Sequence, residues 1–120
     1  MASPEGTSRF RKRHEGKTTT MGHYREFDGI HLSTLGMGTY LGGVDNDTDE
    51  LVTRAVRDSI TTGSVNVIDT AINYRNQKAE RSVGRGLDHL FSENIVERDE
   101  IFVSTKNGYL SPDADVDLDP

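Results

Sequence analysis

The chain has 120 residues and an apolar share of 32%, well under the 45–50% or so of an ordinary globular domain, so it holds material for one modest core. It contains no cysteine, which excludes a disulfide framework and a thiolate metal site. No apolar run approaches the roughly 18 residues of a membrane-spanning helix.

The formal net charge of −6 is unevenly spread. The first seventeen residues carry Arg9, Arg11, Lys12, Arg13 and Lys17 against Glu5 and Glu15, whereas the remainder holds nine basic and eighteen acidic groups. So acidic a body argues against nucleic acid as a partner. The basic start lacks the apolar centre of a secretory signal, and residues 1–23 read as a disordered basic tail. A cytoplasmic protein that does not engage membranes is expected.

In chain order, Tyr24–Phe27 and Ile30–Ser33 flank Asp28-Gly29, a dipeptide that favours a type I′ turn, and predict a hairpin. Leu35 to Tyr40 predicts a short, glycine-rich buried strand. Asp47, with Glu50 three residues on, fits a capping box. Leu51, Val52, Ala55, Val56 and Ile60 then keep a helical stripe until Gly63 supplies the stop. Val65–Asp69 is a β-branched run that ends at a carboxylate, the signature of a buried strand.

Ala79, Val83, Leu87, Leu90 and Phe91 again fall at helical spacing. Gly84 and Gly86 weaken that helix by roughly 1 kcal/mol each relative to alanine, which predicts close approach to the sheet beneath. Ile101–Thr105 forms a third apolar run and ends at Lys106. A hairpin followed by strand, helix, strand, helix, strand is the opening of a parallel α/β fold.

Two motifs are set aside. Gly36-Met37-Gly38 lacks the third glycine of a dinucleotide-binding G-x-G-x-x-G, since position 41 is leucine, and the next helix starts too late. The histidines at 14, 23, 31 and 89 show no ligand spacing, so no metal site is expected.

Asp69 and Lys106 close adjacent strands of this pattern, and parallel neighbours lie about 4.8 Å apart. Both should therefore emerge at the C-terminal edge of the sheet, where α/β folds carry their active sites. Tyr74 follows five residues after Asp69, in the loop above the same edge. An ammonium within about 4–6 Å of a phenol favours the phenolate, which suits a general acid. Spacing alone equally permits a plain ion pair with Tyr74 merely packing.

The words Leu35-Gly36-Met37-Gly38-Thr39-Tyr40, Asp69-Thr70-Ala71 with Tyr74, Glu80-Arg81-Ser82-Val83-Gly84, and Arg98-Asp99-Glu100 running through Lys106 stand in the order and spacing of a known family. On these words the chain resembles the aldo-keto reductases. The resemblance implies a (β/α)₈ TIM barrel preceded by a hairpin that closes its floor. It also implies reduction of small-molecule aldehydes or ketones with NADPH or NADH. By matching motifs, Tyr74 is the proton donor, Lys106 its partner and Asp69 the orienting carboxylate, while Gly38, Thr39, Tyr40 and Asp69 line the cofactor.

Residues 24–120 are then a partial barrel domain that ends in the loop after the third barrel strand. Five βα units and a further site histidine are expected beyond Pro120, and the 120 residues alone should be inert and marginally folded. Tyr40 stands where the family commonly has tryptophan, and Arg75 to Ala79 replaces a shorter link. Two alternatives use the same fold. One is a non-catalytic, cofactor-holding regulatory subunit with the acidic run Asp113 to Asp119 as its docking surface. The other is a lyase that forms a Schiff base on Lys106.

Overall fold

A computed structural model describes residues 1–111, so the acidic run Asp113 to Asp119 lies outside the described residues. Strands β1 (Tyr24–Phe27) and β2 (Ile30–Ser33) pair antiparallel, Tyr24 with Ser33 and Phe27 with Ile30. Asp28 and Gly29 between them both take positive φ, 51° and 82°, as the expected turn demands.

The second sheet is parallel, in the order β3 (Met37–Gly38), β4 (Val67–Asp69), β5 (Phe102–Ser104). Ile68 sits between Met37 and Val103, and Asp69 between Gly38 and Ser104. Helix α1 (Pro4–His14) precedes the hairpin. Helix α2 (Asn46–Thr61) connects β3 to β4; α3 (Lys78–Ser92) and a 3₁₀ turn, Arg98–Glu100, connect β4 to β5. Among the described residues the three strands form an open sheet and not a closed barrel. No described helix is long and apolar enough to cross a membrane.

The α3 stripe packs as its spacing predicts, but only part of the α2 stripe does: Val56 and Ile60 of α2 and Val83, Leu87 and Leu90 of α3 share one core with Ile68 and Ile101, whereas Leu51 and Ala55 face outward and are exposed. Asn66, wholly buried at the start of β4, ties the hairpin beneath this core. Its Oδ1 accepts the Ser33 N–H at 2.8 Å, and its Nδ2 donates to the His31 carbonyl at 2.9 Å. The Tyr24 hydroxyl donates to the Gly63 carbonyl at 2.5 Å. The hairpin therefore meets the strand starts, opposite the edge where Asp69 ends β4.

Three expectations are corrected. The cap of α2 is Asp45 and not Asp47. Asp45 has the extended backbone of a cap (φ −142°, ψ 164°), and its Oδ1 accepts the Thr48 N–H at 2.7 Å. Asp47 lies in the first turn, where its charge complements the helix dipole. Gly86 makes its close approach to α2 and not to the sheet: a Cβ there would come within 2.8 Å of Val56 Cγ1 and 3.1 Å of the Thr53 carbonyl oxygen.

The largest correction concerns residues 1–23, which begin with an eleven-residue helix and not a disordered tail. Ser3 caps α1 by accepting the Gly6 N–H at 2.9 Å, and Pro4 opens it. Phe10 is wholly buried in the core, and Arg9 and Arg13 both reach the wholly buried Glu100 carboxylate. A segment this polar cannot make a core of its own. One aromatic side chain and a distant buried carboxylate order it instead.

Candidate active site

The parallel register of β4 and β5 sets Asp69 beside Ser104, two residues short of Lys106. The pairing continues past the strand ends: the Thr70 N–H donates to the Ser104 carbonyl at 2.8 Å, and the Ile72 N–H to the Lys106 carbonyl at 3.0 Å. Both backbones are thereby fixed where the two charges leave the sheet. Lys106 Nζ donates to Asp69 Oδ1 and to the Thr70 carbonyl, each at 2.8 Å. The Asp69 hydrogen bond, with a smaller contribution from Tyr74, outweighs desolvation and raises the Lys106 pKa above the ordinary lysine value, so the group is a firm cation.

Tyr74 stands in the turn that follows β4. Its ring centroid lies 5.1 Å from Lys106 Nζ and 5.1 Å from the Tyr40 ring centroid, the two rings inclined at 73°. Thr39, buried at the end of β3, donates from Oγ1 to the Asp69 carbonyl at 2.9 Å. Thr105 donates to Glu80 Oε2 at 3.0 Å and so ties the end of β5 to the first turn of α3. Asp69, Tyr74, Lys106, Gly38, Thr39 and Tyr40 thus gather on one sheet edge.

The family model for aldo/keto reductases matches residues 30–118. The chain belongs to the aldo/keto reductase family. None of the curated proteins compared with it matches. This family is one of oxidoreductases that generally use NADH or NADPH. In this aldo/keto reductase chain the matched stretch leaves out α1 and β1 but includes every residue of the edge cluster.

A Cβ on Gly38 would meet nothing within 4 Å, which leaves room for a flat group beside Asp69, and Tyr40 is 64% exposed at the rim. A cleft of about 340 Å³ lies on the outer side of Tyr40, lined also by Leu41, Val44, Asn73 and Arg75 and not by Asp69, Tyr74 or Lys106.

Two site neighbours escape sequence reasoning. Arg75, Asn76 and Gln77 all take positive φ, 51°, 55° and 69°, without a glycine among them. Such residues cost on the order of 1 kcal/mol or more each and persist only where surroundings impose them. Arg75 is buried, and its Nη2 meets Asp49 Oδ1 at 2.6 Å. Burial opposes the Asp49 charge, yet hydrogen bonds from Lys78 and Arg75 prevail and lower its pKa. One Asp among several on α2 and a single Arg in a loop carry no periodic signal that would pair them.

Proposed function

We propose that the chain supplies the catalytic edge of a cytoplasmic NAD(P)H-dependent enzyme that reduces small-molecule aldehydes or ketones to alcohols. In this reading residues 24–120 belong to a (β/α)₈ barrel, with β1 and β2 closing the floor and β3, β4 and β5 as its first three strands. The observation that carries the reading is the Asp69–Lys106 ion pair set beside the Tyr74 ring at the strand ends.

Nicotinamide, when bound, supplies a hydride to the carbonyl carbon. As that carbon accepts it, the carbonyl oxygen gains negative charge, and Tyr74 gives it the phenolic proton. The phenolate left behind lies beside the Lys106 ammonium, which stabilises it electrostatically. Asp69 keeps Lys106 charged and aimed, while Thr39 pins the Asp69 backbone. In this reading Gly38, Thr39, Tyr40 and Asp69 form the cofactor side of the site.

The same ion pair favours a reductase over a Schiff-base lyase. A Schiff-base lysine attacks as the neutral amine and is usually activated by desolvation or a second cation, whereas Lys106 is held as the ammonium by Asp69. The regulatory-subunit alternative drew on Asp113 to Asp119, and no described residue favours it.

Tyr74→Phe tests the assignment. It should lower carbonyl reduction by about 10²–10⁴-fold while NADPH still binds, seen as quenching of its fluorescence. Undiminished turnover in Tyr74→Phe would exclude Tyr74 as the acid.

A further inference from the structure

The two tyrosines of the site sit on different loops. Tyr40 belongs to the loop between β3 and α2, and Tyr74 to the one between β4 and α3, yet their rings meet at 5.1 Å. The side chain that joins these loops is Arg75. Its Nε donates to the Gly43 carbonyl at 2.7 Å and its Nη2 to the Asp45 carbonyl at 3.3 Å, both on the Tyr40 loop, and the same Nη2 pairs with Asp49 in the first turn of α2.

The adjoining backbone is anchored to α3. The Arg75 carbonyl accepts from the Lys78 N–H at 3.1 Å, and the Tyr74 carbonyl from the Ala79 N–H at 3.4 Å. Two features count against a purely stabilising role. Arg75 holds a φ of 51°, where a side chain is strained, and its Nη1 is buried without a partner among the described residues. A residue kept under both handicaps is held for where it puts its neighbours.

We propose that Arg75 is a positioning residue: it clasps the Tyr40 loop to the Tyr74 loop and so fixes the Tyr74 ring beside Lys106. As a statement about catalysis this rests on Tyr74 being the proton donor; as a statement about geometry it stands without that reading.

The test uses the full-length protein labelled at its tyrosines, with ring signals assigned from Tyr40→Phe and Tyr74→Phe. Arg75→Gly relieves the backbone strain but removes the clasp, and Arg75→Lys keeps a charge beside Asp49 but cannot span the Gly43 and Asp45 carbonyls as well. Wild type should show a nuclear Overhauser contact between the Tyr40 and Tyr74 rings, and both variants should lose it. A misplacement near 1 Å costs about 10²-fold in rate, so kcat should fall by about that factor with the KM for NADPH within twofold of wild type. If both variants keep the ring contact, or lose contact and turnover only in proportion to their unfolded fraction, the clasp is overturned. If wild type turns over no carbonyl yet shows a ring contact that both variants lose, the clasp stands and the reductase reading falls.

Discussion

Alanine at Gly84 and at Gly86, two residues apart in α3, should move stability in opposite directions. Alanine is favoured over glycine inside a helix by about 1 kcal/mol. At Gly84 a new Cβ meets nothing within 4 Å, so the whole preference should be realised. At Gly86 the Cβ would lie 2.8 Å from Val56 Cγ1, 3.0 Å from Val56 Cβ and 3.1 Å from the Thr53 carbonyl oxygen. Val56 is wholly buried and the Thr53 oxygen is helix backbone, so neither can swing aside and α2 itself must shift. Overpacking of this kind costs roughly 1–3 kcal/mol, which outweighs the helix preference and leaves a net loss of about 1 kcal/mol.

Urea unfolding followed by circular dichroism should therefore separate the two variants by about 2 kcal/mol at equal m-values, which is roughly 8 °C or more in melting temperature for a domain of this size. In a Val56→Ala background, where Cγ1 is gone, the Gly86→Ala penalty should shrink. A Gly86→Ala protein as stable as Gly84→Ala would refute the close packing of α2 on α3.

Removing both arginines that reach Glu100, as Arg9→Ala with Arg13→Ala, leaves its buried carboxylate with the Glu97 N–H and without its cations, and should destabilise the docking of α1; unchanged hydrogen-exchange protection of the α1 amides would contradict the clamp. His14 is buried against Thr18, and desolvation first, then Arg13, lower its pKa below 6.5. The unfolded chain therefore takes up this proton more readily, so the His14 contribution is complete above pH 6.5 and is lost as pH falls through the folded-state value. The urea midpoint should drop on acidification below pH 6.5, with a shallower drop in His14→Gln; identical slopes would count against it.

The parts written in local chemistry were legible in the sequence. Asp28-Gly29 encodes its turn in two residues, the stripe of α3 repeats at helical spacing, and the parallel strands ending at Asp69 and Ser104 leave Lys106, two residues on, within side-chain reach of Asp69. What stayed hidden depends on distant partners. Pro4 to His14 holds one large apolar side chain, Phe10, and its order comes from Glu100, 87 residues beyond Arg13. Asp45, Asp47 and Asp49 are alike to the eye, yet one caps α2, one lies in its first turn and one receives Arg75. The buried strand expected from Leu35 to Tyr40 is only the two residues Met37–Gly38, with Leu35 and Tyr40 largely exposed.

The grip of α1 on Glu100 also orders events during synthesis. Arg13 and its carboxylate partner are 87 residues apart, and chains are made at about 5–20 residues per second, so the N-terminal helix waits roughly 4–17 s for the group that will hold it. Until then α1 has only its earlier partners in the hairpin, the Phe10 contact with Tyr24 and the His31 N–H on Thr7 Oγ1. The parallel pairing of β3 and β4 involves no residue beyond Asp69, so both strands are complete before Glu100 is made. The earliest residues to be made are thus among the last to be locked, and their docking reports that β5 has arrived.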